Sequence, residues 1–135
     1  MRVREDTAVE REVWRDGVET LLLASAATGA AQLTVFEQWC TPGHGAPLHS
    51  HAVEEVLRIL AGRAQVVVSE DECACSAGST IVVPAGAVHG FTNVGDEPLH
   101  VLAILAEPIF EAHYVAGARD VRRWSPGSAA ATTAR

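Results

Sequence analysis

The chain has 135 residues, of which 48% are apolar and 20% are charged, and its formal net charge is −7. This length and composition fit one globular domain with a substantial core and exclude a disordered chain. The acidic balance argues against nucleic acid as the main partner, because phosphate binding requires a basic surface. The longest early apolar run, Leu21 to Ala27, is too short to span a bilayer, and the acidic first twenty residues do not resemble an export signal. We therefore expect a cytoplasmic protein without a membrane partner.

Residues 1–31 predict N-terminal strands. A strand fragment over 12–18 closes at an Asp-Gly turn, and a second strand or short apolar segment over 19–27 ends at Thr28-Gly29. We expect these strands to pack on the rest of the fold or on a partner subunit. The next strand, from Gln32 to Cys40, ends at Thr41-Pro42-Gly43, and its residues alternate between two faces.

Two histidines follow this break. His49 and His51 are two residues apart, so their side chains point to the same face of an extended chain. Glu55 lies four residues beyond His51 and shares that face if the chain stays extended. Imidazole and carboxylate groups that converge on one point are what a transition metal ion needs. A His-x-His pair with a later glutamate is nevertheless weak evidence when it stands alone.

A third histidine, His89, comes after a Pro84-Ala85-Gly86 turn. The segments around it are short, rich in β-branched and other apolar residues, and separated by turn residues; they are 53–60, 64–69, 81–83 and 99–105. Short strands with turn signals at intervals of about ten residues predict an all-β sandwich or barrel.

Together, the two histidine segments resemble the cupin family. The first cupin motif, G-x5-H-x-H-x3,4-E-x6-G, is matched by Gly43, His49, His51, Glu55 and Gly62. The second, G-x5-P-x-G-x2-H-x3-N, is matched by Gly78, Pro84, Gly86, His89 and Asn93. The region before the first motif resembles small bacterial cupins of the quercetinase-like type. The resemblance implies an all-β fold, a single cupin jelly-roll β-barrel over residues 32–108.

The resemblance also implies a metal site. In the family, the matching residues bind one metal ion, and this carries over to His49, His51, Glu55 and His89. Such a set accepts Fe, Mn, Ni, Co, Cu or Zn, so we expect one divalent transition metal ion whose identity the ligands do not decide. Three neutral imidazoles, one carboxylate and a divalent ion leave a net positive charge. That charge favours an anionic or enolisable small-molecule substrate that binds through oxygen.

The pocket around this site is predicted to be apolar. Trp39, Leu57, Ile59 and Phe91 have the alternation expected of positions that face the barrel interior. Glu37 shares the face of Trp39, where it would serve as a general base or as the partner of a metal ligand. An exposed charge on a barrel strand fits the same pattern equally well.

After the barrel, residues 109–124 predict a capping segment. Residues 109–114 predict a short C-terminal helix, from which Phe110 or Tyr114 would approach the substrate or plug the end of the barrel. Residues 125–135 are rich in proline, glycine, alanine and threonine and predict a disordered tail.

The chain contains three cysteines, an odd number that does not suggest a disulfide framework. Cys73 and Cys75 would face one side of a strand and could in principle bind a soft metal. We interpret them, and Cys40, as strand residues that pack like small hydrophobes.

These features predict a metal-dependent enzyme that acts on a small molecule. A dry, apolar pocket favours a dioxygenase or another oxidoreductase on an aromatic or enolisable compound. Two alternatives remain open: a redox-neutral isomerase, cyclase or lyase that uses the ion as a Lewis acid, and a non-catalytic cupin that binds a small molecule. The edges of small jelly rolls need covering, so we also expect a homodimer in which the N-terminal strands contact the partner.

Overall fold

The computed structural model describes residues 1–117 and 119–128. Within these ranges the protein is built almost entirely of β-strands, with single 3₁₀ turns at Asp6–Ala8 and Ala26–Thr28. In chain order the strands are β1 (Glu12–Arg15), β2 (Val18–Ala24), β3 (Thr34–Cys40), β4 (Gly45–Ser50), β5 (Glu55–Ala61), β6 (Arg63–Val68), β7 (Asp71–Ser76), β8 (Thr80–Val83), β9 (His89–Asn93), β10 (Leu99–Leu105), β11 (Phe110–Tyr114) and β12 (Val121–Arg123).

The strands form two six-stranded sheets that face each other. One sheet has the order β1-β2-β3-β10-β5-β8, and the other has the order β12-β11-β4-β9-β6-β7. The pairings are antiparallel, and strands far apart in the sequence, such as β3 and β10, lie side by side. From β3 to β6 and from β7 to β11, successive strands alternate between the two sheets, as in a jelly roll. The all-β prediction is confirmed.

The core lies between the sheets. Strands β3, β5 and β10 alternate between fully buried and half-buried residues, which is the period of two expected when one face of a sheet packs inward. Phe36, Leu57 and Val101 lie on the inward face and are almost completely buried. Each buried side chain of this size contributes about 1.5–3 kcal/mol to folding.

The predicted C-terminal helix is wrong, because Phe110–Tyr114 forms β11. This strand pairs with β4 on one side and with β12 on the other. Phe110 and Ala112 are buried while Glu111 and His113 are exposed, and a helix cannot sort side chains with a period of two. Phe110 packs against Trp124, which is 1% exposed, at a ring distance of 5.7 Å.

The N-terminal strands complete the first sheet of their own chain. Strand β1 pairs with β2, and β2 pairs with β3 from Val18 opposite Cys40 to Ala24 opposite Val35. The predicted disordered tail, 125–135, falls largely on residues 129–135, which lie outside the described residues. Within the described ranges, no helix has the length and apolar character needed to cross a membrane.

Candidate metal centre

Four side chains from both sheets meet between them. His49, near the end of β4, lies directly opposite His89, the first residue of β9. His51 follows β4 immediately, and Glu55 opens β5 in the facing sheet. Their ligand atoms all lie within 4.8 Å of one another. The structure therefore brings together the four residues predicted to bind a metal, and all four are buried.

Each histidine is held by a backbone carbonyl group. The Nδ1 atoms of His49, His51 and His89 lie 2.6, 2.6 and 2.9 Å from the carbonyl oxygens of Pro47, Glu111 and Ala87, respectively. A carbonyl oxygen only accepts, so each Nδ1 carries a proton and donates it. The Nε2 atom of each neutral ring is then left with its lone pair for the centre of the cluster. Such carbonyl contacts fix the tautomer and orientation of metal-binding histidines.

Motif residues outside the cluster shape the backbone around it. Gly86, at φ +80°, donates its N–H to the carbonyl oxygen of His51 at 2.7 Å, so the turn before β9 is tied to the ligand strand. A left-handed φ of this kind suits glycine. Asn93 donates from Nδ2 to the carbonyl oxygens of Cys40 and Glu97, which holds the end of β9 against two loops. Its role in this structure is architectural.

Burial and charge set the protonation of the three imidazoles. Burial lowers the pKa of His49 to about 3, helped by the positive charge of His89. Burial also lowers the pKa of His51, although Glu55 opposes the effect. For His89, burial acts downward, but the hydrogen bond to Glu55 and its charge outweigh it and raise the pKa. Two of the three rings are therefore neutral and ready to bind a metal ion at neutral pH.

The residues fit a divalent transition metal ion. His51 Nε2 is buried and, among the described residues, has no hydrogen-bond partner; it lies 3.6 Å from Glu55 Oε1. Glu55 Oε1 is also 2.8 Å from His89 Nε2. A buried nitrogen lone pair without a donor is costly unless something binds it. Three imidazole nitrogens and one carboxylate around a common centre form a donor set that transition ions accept.

A pocket opens on this cluster. Its volume is about 350 Å³ when the open mouth is included. His49, Glu55 and His89 line it on the side of the cluster, and aromatic and aliphatic side chains form most of its wall. The lining residues outside the cluster are Trp14, Arg15, Phe36, Gln38, Ala46, Leu57, Phe91, Phe110 and Tyr114.

Three of the predicted pocket residues lie elsewhere. Trp39 and Glu37 are on the outer face of the first sheet, where Trp39 lies opposite His100 and Glu37 Oε1 is 2.6 Å from His100 Nε2. The predicted placement of Trp39 inside the barrel was wrong because both faces of β3 carry apolar residues and the inward face is the one with Phe36. For Glu37, the position fits the alternative of a charge on the outer face of the strand. Ile59 is 1% exposed in the core but does not line the pocket. Leu57, Phe91 and Phe110 do line it, as predicted.

The structure adds pocket residues that sequence patterns did not single out. These are Trp14 and Arg15 from β1; Tyr114, which the sequence did single out, also lines the pocket, from β11. Arg15 donates one hydrogen bond to the Gly45 carbonyl oxygen and another to Tyr114 Oη, each at 3.0 Å. A charged residue just before the Asp-Gly turn gave no signal of this role, since its orientation depends on an irregularity of the strand.

The cysteines lie outside the metal centre. Cys40 is fully buried, and burial raises its thiol pKa to about 11, as expected for a cysteine that packs as a hydrophobe. Cys73 is exposed and Cys75 is half-buried on the edge strand β7, so their predicted packing holds only in part.

Comparison with known families agrees with this geometry. A family model described as a cupin domain matches residues 38–105, which is 68 of the 135 residues. The chain belongs to the cupin family. The match spans β4, β5 and β9 and therefore includes the four residues of the cluster.

Two curated relatives are similar in sequence to this chain. Auxin-binding protein 1 of Arabidopsis thaliana is 31% identical over 104 residues, covering 70% of this cupin and 52% of that protein. Auxin-binding protein T85 of Nicotiana tabacum is 27% identical over 100 residues, covering 66% and 54%. This cupin thus spans about half the length of these relatives.

Two solved structures resemble the fold. The polyketide cyclase RemF from Streptomyces resistomycificus superposes with a TM-score of 0.73 at 22% identity, covering 89% of each chain. The oxalate decarboxylase of Lactobacillus farciminis, in a formate complex, gives a TM-score of 0.71 at 24% identity, covering 79% of this chain and 33% of that one. At these identities the likeness concerns the fold.

Proposed function

We propose that this cupin binds one divalent transition metal ion at His49, His51, Glu55 and His89 and acts as a metal-dependent enzyme on a small molecule. The observation that carries the proposal is the buried Nε2 of His51, which has no hydrogen-bond partner among the described residues and faces a carboxylate and two further imidazoles. A cluster kept only for packing would pair that nitrogen or replace it with an apolar group.

The chain's own residues define what such a site can do. The carbonyl groups of Pro47, Glu111 and Ala87 keep the three imidazoles oriented, so the donor set is preorganised. A bound ion would supply Lewis acidity and, if it is redox-active, electron transfer. The wall that includes Phe36 and Phe91 limits the access of water to the substrate.

We place an oxidation that uses dioxygen first among the reaction classes, with an aromatic or enolisable compound as the substrate. An apolar wall protects reactive species from water, which suits this chemistry. The alternative of redox-neutral catalysis with Glu37 as the base loses support, because that carboxylate binds His100 on the outer face of the sheet.

A redox-neutral cyclase, isomerase or lyase is the second candidate, and a specific residue favours it. The ring of Tyr114 lies 5.5 Å from the ring of His49, so its hydroxyl group is a possible proton donor or acceptor at the pocket. The structural likeness to a polyketide cyclase over 89% of both chains is compatible with this chemistry.

The test uses protein reconstituted with iron, manganese, nickel, cobalt, copper or zinc in turn, with flavonol, catechol and diketone substrates under air and under argon. We expect dioxygen uptake coupled to substrate loss with at least one redox-active ion, and none after Glu55→Gln. The Glu37→Gln variant is the matched control and should keep the activity. Substrate conversion that proceeds equally under argon would favour the redox-neutral candidate. Metal binding without conversion of any substrate would favour the alternative of a non-catalytic cupin that binds a small molecule.

We also propose that the protein is a homodimer. Val13 at β1 and Val82 at β8 are exposed apolar residues on the two edge strands of the first sheet, and such edges are sites of pairing. Light scattering at micromolar concentration should give twice the mass of the chain. A monomer mass would rule the dimer out and leave the metal proposal unaffected.

A further inference from the structure

Arg15 is a half-buried cation in the metal pocket, and it has only neutral partners. Its guanidinium group donates to the Gly45 carbonyl oxygen and to Tyr114 Oη. By contrast, Arg122 and Arg123 pair with glutamates, and none of the ion pairs among the described residues includes Arg15. A guanidinium group carries five N–H donors, so these two bonds leave capacity for an anion.

A β-bulge aims this side chain into the pocket. In the β1–β2 pair, Val13 lies opposite Glu19 and Arg15 lies opposite Val18, with the register shifted between them. Consecutive residues of a regular strand point to opposite faces, yet Trp14 and Arg15 both line the pocket. Bulges re-aim side chains in this way, often beside active sites.

Tyr114 fixes where the guanidinium group lies relative to the metal cluster. Tyr114 is opposite His49 across β11 and β4, and His49 is opposite His89 across β4 and β9. The three residues therefore form one row across the sheet, and the hydrogen bond from Arg15 to Tyr114 Oη holds the cation at the end of that row. The second bond, to Gly45, ties it to the strand that carries His49.

We propose that Arg15, oriented by Tyr114, binds an anionic oxygen group of the substrate and makes this cupin selective for small organic anions with an apolar body. The inference rests on the proposed function, because it assigns the substrate class of the same site. An arginine binds a carboxylate through two parallel, charge-assisted hydrogen bonds. The apolar wall formed by Phe36, Leu57, Phe91 and Phe110 faces the rest of the molecule. A neutral amide of the same shape would lose the charge-assisted bonds.

The test measures anion binding and requires no turnover. Cobalt-loaded protein is titrated with acetate against acetamide, and with benzoate against benzamide, and binding is followed by the visible absorption of the cobalt ion. We expect Arg15→Gln to weaken carboxylate binding by about tenfold or more and to leave amide binding unchanged. Arg15→Lys, which keeps the charge, should restore part of the loss. Tyr114→Phe should fall between the wild type and Arg15→Gln.

Arg58→Gln is the matched control. Arg58 also donates two hydrogen bonds to neutral groups, the Gly78 carbonyl oxygen and Thr80 Oγ1, but it does not line the pocket. This variant should bind the four probes as the wild type does. Carboxylate affinity that is the same in Arg15→Gln and the wild type would overturn the proposal, because the metal ion alone would then account for the preference.

A second measurement uses only the wild-type chain, so it remains possible if the variants fail to fold. Phenylglyoxal modifies accessible arginine side chains, and peptide mass spectrometry reports which ones react. Benzoate should protect Arg15 from modification, while benzamide should not, in both metal-loaded and metal-free protein. If the protein takes up no cobalt, the metal proposal fails and this protection alone decides the role of Arg15. Absence of selective protection contradicts that role.

Discussion

Two histidine–glutamate pairs of this protein share a chemistry but differ in what surrounds them. Glu55 Oε1 lies 2.8 Å from His89 Nε2 between the sheets, and Glu37 Oε1 lies 2.6 Å from His100 Nε2 on the outer face. The side chains of the inner pair are 4% and 2% exposed, whereas those of the outer pair are 16% and 24% exposed. Only the inner pair has further imidazoles within reach. Convergence and burial therefore distinguish a candidate metal site from a polar surface contact.

The outer pair belongs to a stack of side chains on the surface. Trp39 lies flat on the His100 ring at 4.4 Å, and the Arg11 guanidinium group lies 3.6 Å from the centre of the Trp39 ring. These contacts satisfy His100 and Glu37 without any ligand. Substitutions of matched residues on the two sides of the sheet should therefore have different effects.

The largest difference in stability is expected between substitutions of the buried Trp124 and of the half-buried Trp39. Trp124 is 1% exposed and packs against Phe36 and Phe110, so Trp124→Ala should cost about 3–5 kcal/mol of unfolding free energy. Trp39→Ala removes a half-buried ring from the surface stack and should cost about 1 kcal/mol. Urea unfolding of both variants measures the difference. Equal losses would mean that the outer stack carries as much of the fold as the core does.

The affinity for metal should fall with falling pH because of the inner pair. Because the pKa of His89 is raised, its ring keeps a second proton to higher pH than a free imidazole does, and that proton must leave before Nε2 can bind an ion. As pH falls through that pKa, proton competition should weaken metal binding by up to about tenfold per pH unit. His49, whose pKa is lowered to about 3, adds no such competition near neutral pH. Competition with a chromophoric chelator, repeated at pH values on both sides of the His89 pKa, measures how metal affinity changes with pH. An affinity independent of pH would contradict this role of His89.

The smallest effect is expected for the outer pair. Glu37→Gln breaks a partly exposed contact and should change the unfolding free energy by less than about 1 kcal/mol. It should leave the amount of bound metal unchanged, because Glu37 does not line the pocket. Elemental analysis and urea unfolding of this variant, beside Glu55→Gln, check both statements. Metal loss in Glu37→Gln comparable to that in Glu55→Gln would show that the outer carboxylate matters to the site.

The sequence predicted the convergence of the four candidate ligands better than the wall around them. His49, His51, Glu55 and His89 lie at fixed spacings in two motifs, and those spacings follow from strand geometry and one glycine turn. The wall depends on which face of each strand turns inward. For β3 the alternation was ambiguous, since Trp39 and Phe36 are both large and apolar, and only the pairing with β10 decides between them.

Long-range pairing also explains the other differences. The local sequence of residues 109–114 does not determine a strand. The segment becomes β11 because it pairs with β4, which is distant in sequence, and with β12, which follows it. Arg15 enters the pocket through a bulge whose position depends on the register with β2. The strand conformation of β11 and the orientation of Arg15 cannot be obtained from local composition, because both arise from contacts between separate segments.

The metal content of protein purified without added metal shows whether the four buried residues bind an ion. We expect the wild type to hold close to one transition metal ion per chain and the His49→Ala, His51→Ala double variant to hold almost none. The His100→Ala variant, which removes a histidine from the outer pair, should keep its metal. Circular dichroism would verify that all three proteins retain the β fold. Full metal occupancy in the folded double variant would contradict the account.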